Sequence, residues 1–176
     1  MVTIRAEISA DTIAREALLD RAFGRARHRK TSQRIRDGRL PAEGLAFTAL
    51  SKSGRVIGTL RMWNVIAGSA GPALLLGPLA VDGRYQRRGI GRELIIHALN
   101  MAKVLGHASV LLVGDEPYYS RFGFTRTLVA DLHLPGPVER NRFLGVELTP
   151  GALDGAVGLV MASGALAPIA GKTLAA

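Results

Sequence analysis

The residues of this chain that could do chemistry crowd into two short stretches. The first, Tyr85 to Arg92, reads YQRRGIGR and sets Gly89 and Gly91 among Arg84, Arg87, Arg88 and Arg92. A glycine has no side chain to hold a ligand off the backbone. At a helix start the first-turn N–H groups lack partners and carry the positive end of the helix dipole. Such a loop suits a phosphate, and nearby guanidinium groups add charge matched to phosphate oxygens. A lone Gly-x-Gly serves equally well as a plain strand-to-helix turn with solvated arginines, so its neighbours must decide. The familiar phosphate loops do not fit: GxxxxGK[ST] is absent, and RGIGREL lacks the third glycine of GxGxxG.

The second stretch, Gly114 to Phe124, reads GDEPYYSRFGF and carries two phenols, Tyr118 and Tyr119. A phenol near its ordinary pKa of ~10 stays protonated at neutral pH, as a general acid must. The plainer role for either tyrosine is to anchor a short helix into the core beside Phe122 and Phe124. Consecutive helical residues diverge, so the two cannot face one site equally.

These stretches need elements to hold them. Val2 to Ile8 alternates as a short strand does, and Ser9 or Asp11 can cap a helix running through IAREALLDRAFG to a stop at Gly24. LAFTALSKSGRVIGTLRMWNV reads as a hairpin turning at Lys52 to Gly54. Ala73 to Val81 fits a strand buried on both faces, but Pro78 cannot donate to a ladder, so the strand bulges there or leaves an edge unpaired. Ile90, Leu94, Ala98, Met101, Ala102 and Leu105 repeat at helical spacing up to Gly106. Ala108 to Val113 is a further strand, and Asp115 with Pro117 starts a short helix that ends at Gly123. Strand, helix and strand form a parallel crossover. FTRTL and RFLGVELT predict two more strands, and PGALDGAVGLVMAS one more.

Together these residues resemble the GNAT N-acetyltransferases. Gln86-Arg87-Arg88-Gly89-Ile90-Gly91 is similar to that family's Q/R-x-x-G-x-G/A motif, LGPLAV looks like its fourth strand, and YYSRFGF is similar to its Tyr-x-x-x-Gly-Phe element. With ELTPGALDG, the set resembles a bacterial branch of the family and covers most of the chain. The resemblance implies an α/β (α+β) fold with a mixed, mostly antiparallel sheet of about seven strands, a splayed parallel pair and flanking helices. It implies one domain over residues 1–176, with a core near 2–150 and a C-terminal strand and tail at 151–176.

The resemblance also implies acetyl-CoA as co-substrate and an amine acceptor, small or peptidic. Gln86, Arg87, Arg88, Gly89, Ile90, Gly91 and Arg92 would hold the pyrophosphate, chiefly by main-chain amides. Pantetheine would run beside Leu79, Ala80 and Val81, where the fourth and fifth strands part. A neutral amine would attack the thioester directly, a main-chain N–H near Leu79 to Val81 would stabilise the oxyanion, and Tyr119 would protonate the leaving thiolate. The family's usual Asn seven residues before the tyrosine is replaced by Leu112. Asp115 is expected as a helix cap, with a role as base the weaker alternative. No base is singled out: Asp82, Glu116 and Glu43 qualify only as acids.

Composition narrows the remaining possibilities. No cysteine is present among 176 residues, which excludes disulfides, thiolate nucleophiles and Cys-ligated zinc and favours a cytoplasmic protein. His28, His97, His107 and His133 share no metal spacing, so no metal is expected. The uncharged run Gly155 to Gly171 contains Pro168 and falls short of the ~20 residues a bilayer span needs. The N-terminus carries charges where a signal peptide would be apolar.

The net charge of +9 attracts anions and by itself allows a nucleic-acid-binding module. That alternative lacks a supporting motif and has nine aromatic residues with which to stack bases. A CoA-binding sensor without turnover is a second alternative. Arg21 to Arg39 holds eight Arg/Lys against Asp37 and falls where the family often places substrate-side helices, though it reads more simply as a solvated basic face; Met62 and Trp63 could line a substrate pocket but read more simply as core. The chain is expected as a monomer or homodimer.

Overall fold

The computed structural model describes residues 2–168. The far end of the expected tail, 169–176, lies outside the described residues. Eight strands form around a long central hairpin: β1 (Thr3–Ala6), β2 (Ala46–Leu50), β3 (Val56–Ala67), β4 (Pro72–Val81), β5 (Ser109–Val113), β6 (Asp131–His133), β7 (Phe143–Glu147) and β8 (Val157–Ala162). Four helices accompany them: α1 (Thr12–Phe23), α2 (Thr31–Arg36), α3 (Ile90–Val104) and α4 (Glu116–Tyr119). The main sheet runs β1-β2-β3-β4-β5-β7, and β8 joins the far end of β3 and pairs with β6. All neighbours along the main path are antiparallel except β4 and β5.

Alternation explains why β4 reads as an unbroken apolar run. Leu74 and Leu76 enter one core with Leu60, Val110 and Leu112, whereas Ala73 and Leu75 enter the other with Val65, Leu111 and Phe143. Helix α3 closes the first core with Ile90, Leu94, Ile95, Ala98 and Ala102, the stripe legible in its helical repeat. Gly58 permits that approach: a Cβ there would lie 3.1 Å from Leu94 Cδ1 and 3.3 Å from Ile90 Cγ2. Helix α1 ends at Gly24, as its sequence indicates, and packs Leu18 and Leu19 over Val56 and Ala80.

Two local expectations fail. FTRTL is not a strand; Thr125 makes a single bridge to Gly145, and Thr127–Val129 winds into a 3-10 turn. The short strand β6 was not anticipated, because three residues carry too little alternation to be seen.

Candidate active site

Pro78 resolves both ways. Opposite Leu60, Arg61 and Met62, β4 uses the four residues Leu76 to Leu79, so it bulges at Gly77-Pro78. The Gly77 carbonyl accepts from Trp63 Nε1 at 2.6 Å, which pins the bulge and gives the buried indole a partner. The parallel pairing with β5 covers only Leu74 and Leu75 opposite Val110 and Leu111. Beyond them β5 continues with β7 and β4 with β3, so the strands part and a cleft opens.

The backbone in that cleft has a defined polarity. The Asp82 N–H donates to the Ile57 carbonyl at 2.8 Å, so two-residue alternation turns Ala80 to β3 and Leu79 and Val81 to the opposite edge. Leu79 and Val81 thus aim their main-chain groups into the cleft; Gln86 Nε2 lies 3.5 Å from the Val81 carbonyl oxygen. Ala80 is a correction to the expected site. Its main chain serves β3 and its methyl group is buried under α1, so it does not face the cleft.

Beyond β4 the chain turns through Asp82, whose carboxylate accepts from the Arg84 N–H and guanidinium. Arg84 holds that carboxyl down at about 2, so Asp82 is a structural cap and an ineffective base. Arg87 stands in the left-handed region at φ 60 and Gly89, the N-cap of α3, at φ 81. These dihedrals turn successive N–H groups to one side. Among the described residues, none of the main-chain N–H groups from Arg87 to Arg92 has a hydrogen-bond partner. Arg87, Arg88 and Arg92 extend into solvent, while the Ile90 side chain is buried and anchors the loop. A Cβ on Gly91 would lie 3.0 Å from the Tyr118 hydroxyl and 3.7 Å from Val81 Cγ2. Gly91 therefore stands over the cleft, where a side chain would obstruct it.

The two tyrosines do separate. Tyr118 points its hydroxyl toward Gly91 at the start of α3, and its ring meets Phe122 edge-on. Tyr119 lies against the Cα of Gly114, where a Cβ would come within 2.2 Å of its ring, and packs edge-on against Phe124. Burial, reinforced by Tyr118 and Asp115, pushes the Tyr119 phenol up to about 12. The shift exceeds the modest tuning that a phenol facing a thiol requires. It keeps the proton on Tyr119 throughout the neutral range.

Both tyrosines line a cavity of about 440 Å³ that includes the splayed segment Leu76 to Leu79. Its opposite wall is α2, fastened by Thr31 Oγ1 donating to the Pro137 carbonyl at 2.8 Å. The expectation that Arg21 to Arg39 is a solvated face needs correcting for two residues. Arg27 and Arg36 are buried and both line this cavity, along with Lys30. Arg142 and Glu139 reach it from the segment before β7, and Asp115 from the start of α4. Asp115 caps α4 only through its main-chain oxygen; its carboxylate is exposed and lies 3.3 Å from Arg142 Nη2. Glu116 and Glu43 are exposed and do not line the cavity. Leu112 is buried in the sheet. Composition alone could not reveal Arg36 or Arg142, since each becomes a wall residue only through packing.

The chain is similar to known acetyltransferases in sequence and fold. A family model for an acetyltransferase (GNAT) domain matches residues 43–126, which contain the hairpin, β4, the loop, α3, β5 and both tyrosines. The chain is 34% identical to the uncharacterized N-acetyltransferase YhbS of Escherichia coli (strain K12), over 89% of this chain and 93% of that protein. The crystal structure of Escherichia coli YhbS in complex with CoA superposes with a TM-score of 0.78 at 33% identity, covering 92% of this chain and 89% of that one. A GNAT family acetyltransferase from Brucella melitensis in complex with acetyl-CoA superposes with a TM-score of 0.63 at 26% identity, covering 97% of each.

Proposed function

The chain belongs to the GNAT N-acetyltransferase family, and from that premise we propose that it transfers the acetyl group of acetyl-CoA to an amine seated in the cavity between α2 and the splayed strands. The observation that carries this reading is continuity: unpartnered N–H groups from Arg87 to Arg92 lead along the free edge of β4 into that cavity. A pyrophosphate fits the loop, since oriented amides at a helix start hold an anion without a side chain in the way. The related structures holding CoA and acetyl-CoA support the same donor.

In this reading Leu79 and Val81 pair with the extended pantetheine arm as an added strand would, and one of their N–H groups stabilises the thioester oxygen as it becomes anionic. Tyr118 belongs to the donor side, near the loop. Tyr119 gives its proton to the sulfur as the C–S bond breaks, and the nitrogen that has joined the carbonyl carbon releases its own proton. Asp115 and Glu139 are the carboxylates of the cavity wall within reach of that proton.

Calorimetry and melting curves with acetyl-CoA, CoA and a short DNA duplex at two salt concentrations test the assignment. Acetyl-CoA and CoA are expected to bind and to raise the melting temperature. No acetyl-CoA effect beside steep salt-dependent DNA binding would sink it.

A further inference from the structure

Among the described residues three arginines are buried: Arg15, Arg27 and Arg36. Arg15 pairs with Glu7 and Glu16, and Arg27 with Glu16 and Asp20. Arg36 pairs with no carboxylate among the described residues. Its Nε donates to the Ser32 carbonyl at 2.7 Å and its Nη2 to Ser32 Oγ at 2.8 Å, which fixes the guanidinium plane. Its Nη1 is buried and has no partner. That nitrogen lies beside the bulge, 3.8 Å from where a Cβ on Gly77 would stand, and Arg36 and Gly77 both line the cavity.

Burying a cation without an anion is costly, and proteins leave few such groups without a use. Burial holds Arg36 down at about 10, still charged at neutral pH, and the nearby Asp37 carboxylate, with which it forms no ion pair, offsets this only in part. Gln33 Nε2 engages neighbouring Asp37 at 2.7 Å, and Arg27 is itself positive. Arg142, across the cavity, also has a buried Nε without a partner. Lys30 stands over the Phe23 ring at 5.1 Å, and the Thr31 hydroxyl borders the same wall. The carboxylates of the cavity, Asp115 and Glu139, come from the other side, where Arg142 pairs with Asp115, so that wall is mixed in charge while the α2 wall carries cations alone.

We infer that the cavity selects an amine acceptor that also carries a carboxylate a few bonds from its nitrogen, with Arg36 pairing that carboxylate. The inference rests on the acetyl-transfer reading and names its substrate class. A planar, prefixed guanidinium suits a carboxylate better than an ammonium would, because both nitrogens of one edge lie in the plane of the two oxygens. Its place beside Gly77 puts that carboxylate close to the splay, so the amine next to it reaches the same point from which Leu79 and Val81 turn outward. A polyamine would meet Arg36 and Lys30 as like charges.

The test measures thiol release from acetyl-CoA with each free amino acid against its own methyl ester, and with spermidine as the amine without a carboxylate. Free amino acids are expected to exceed their esters by at least ~10-fold in kcat/KM, because a site built for a charged partner rejects the analogue lacking it. In Arg36→Gln that ratio falls toward one, while CoA still raises the melting temperature of the variant and so reports a folded donor site. Esters or spermidine serving as well as the acids, or a ratio that survives in Arg36→Gln, would overturn the inference. A separate arm needs no turnover: at constant ionic strength glutarate is expected to raise the melting temperature of the native chain and not of Arg36→Gln. An equal shift in both, or none in the native chain, counts against the subsite. Failure of CoA to shift the native chain counts instead against the acetyl-transfer reading, and the glutarate arm still decides the anion site.

Discussion

At the glycine loop before α3, Arg87, Arg88 and Arg92 remain in water and the main-chain N–H groups between them lack partners; at the α2 wall, Arg36 is buried and one of its side-chain nitrogens is unpaired. In the proposed reading both regions meet negative charge, but with different groups. A solvated guanidinium acts through a screened field and adds little to any single contact, whereas a backbone amide at a helix start is aimed once and stays aimed. A buried guanidinium combines strength with fixed direction, and in exchange tolerates few partners. The loop thus suits a ligand end common to every turnover, and the wall suits the variable partner.

The largest effect that separates the two regions is expected at Gly91. Gly91→Glu sets a carboxylate over the cleft against Tyr118 and Val81, and calorimetry should show acetyl-CoA binding weakened by more than ~100-fold, with the fold retained. Unimpaired binding would refute the loop as the pyrophosphate site.

A smaller loss is expected at the tyrosines. Tyr119→Phe should lower kcat by ~100-fold or more while acetyl-CoA affinity changes little, and Tyr118→Phe should act mainly on affinity. Equal losses in kcat and affinity for Tyr119→Phe would make it a structural anchor. The pH profile sharpens this. Because the folded phenol is raised to about 12, it stays protonated below that value, so native kcat should show no fall from tyrosine ionisation across the range around ~10 where a free phenol titrates. A limb at the ordinary phenol value would mean that an exposed tyrosine supplies the proton.

The smallest effects belong to the arginines that first drew attention. Arg88→Ala and Arg92→Ala are each expected to raise KM for acetyl-CoA by only ~2–5-fold, and less in high salt. A loss comparable to that of Gly91→Glu would shift the work from main chain to side chains and erase the contrast between loop and wall.

Much of the glycine loop and its supporting elements was legible because their signals are local. Gly89 and Gly91 announce a backbone approach, the repeat from Ile90 to Leu105 announces the helix behind it, and Pro78 marks the irregularity of β4. The α2 wall was legible only as a basic run in a place where the family often sets substrate-side helices. The run Arg21 to Arg39 looks alike along its length, yet Arg27 finds Glu16 and Asp20 from α1, Arg36 finds only Ser32, and Arg34 stays exposed. Ala80 fails for a related reason: which residues of a strand turn to a cleft depends on register with β3, which the apolar run of β4 does not reveal. Tyr118 and Tyr119 were distinguishable by spacing before Gly123, but their environments were not, because Gly114 and Gly91 reach them through the fold.

By itself, then, the sequence determined most of the elements, the chain of motifs from LGPLAV through QRRGIG to YYSRFGF, and with them the family, since periodicity, glycine freedom and proline's missing N–H act over a few residues. Only the tertiary structure decided where β4 leaves β5, which tyrosine packs against Gly114, and which arginine of a basic run is enclosed without an ion-pair partner. Those outcomes depend on desolvation and on partners distant in sequence, and a charge has no energetic meaning in a fold until its neighbours are known.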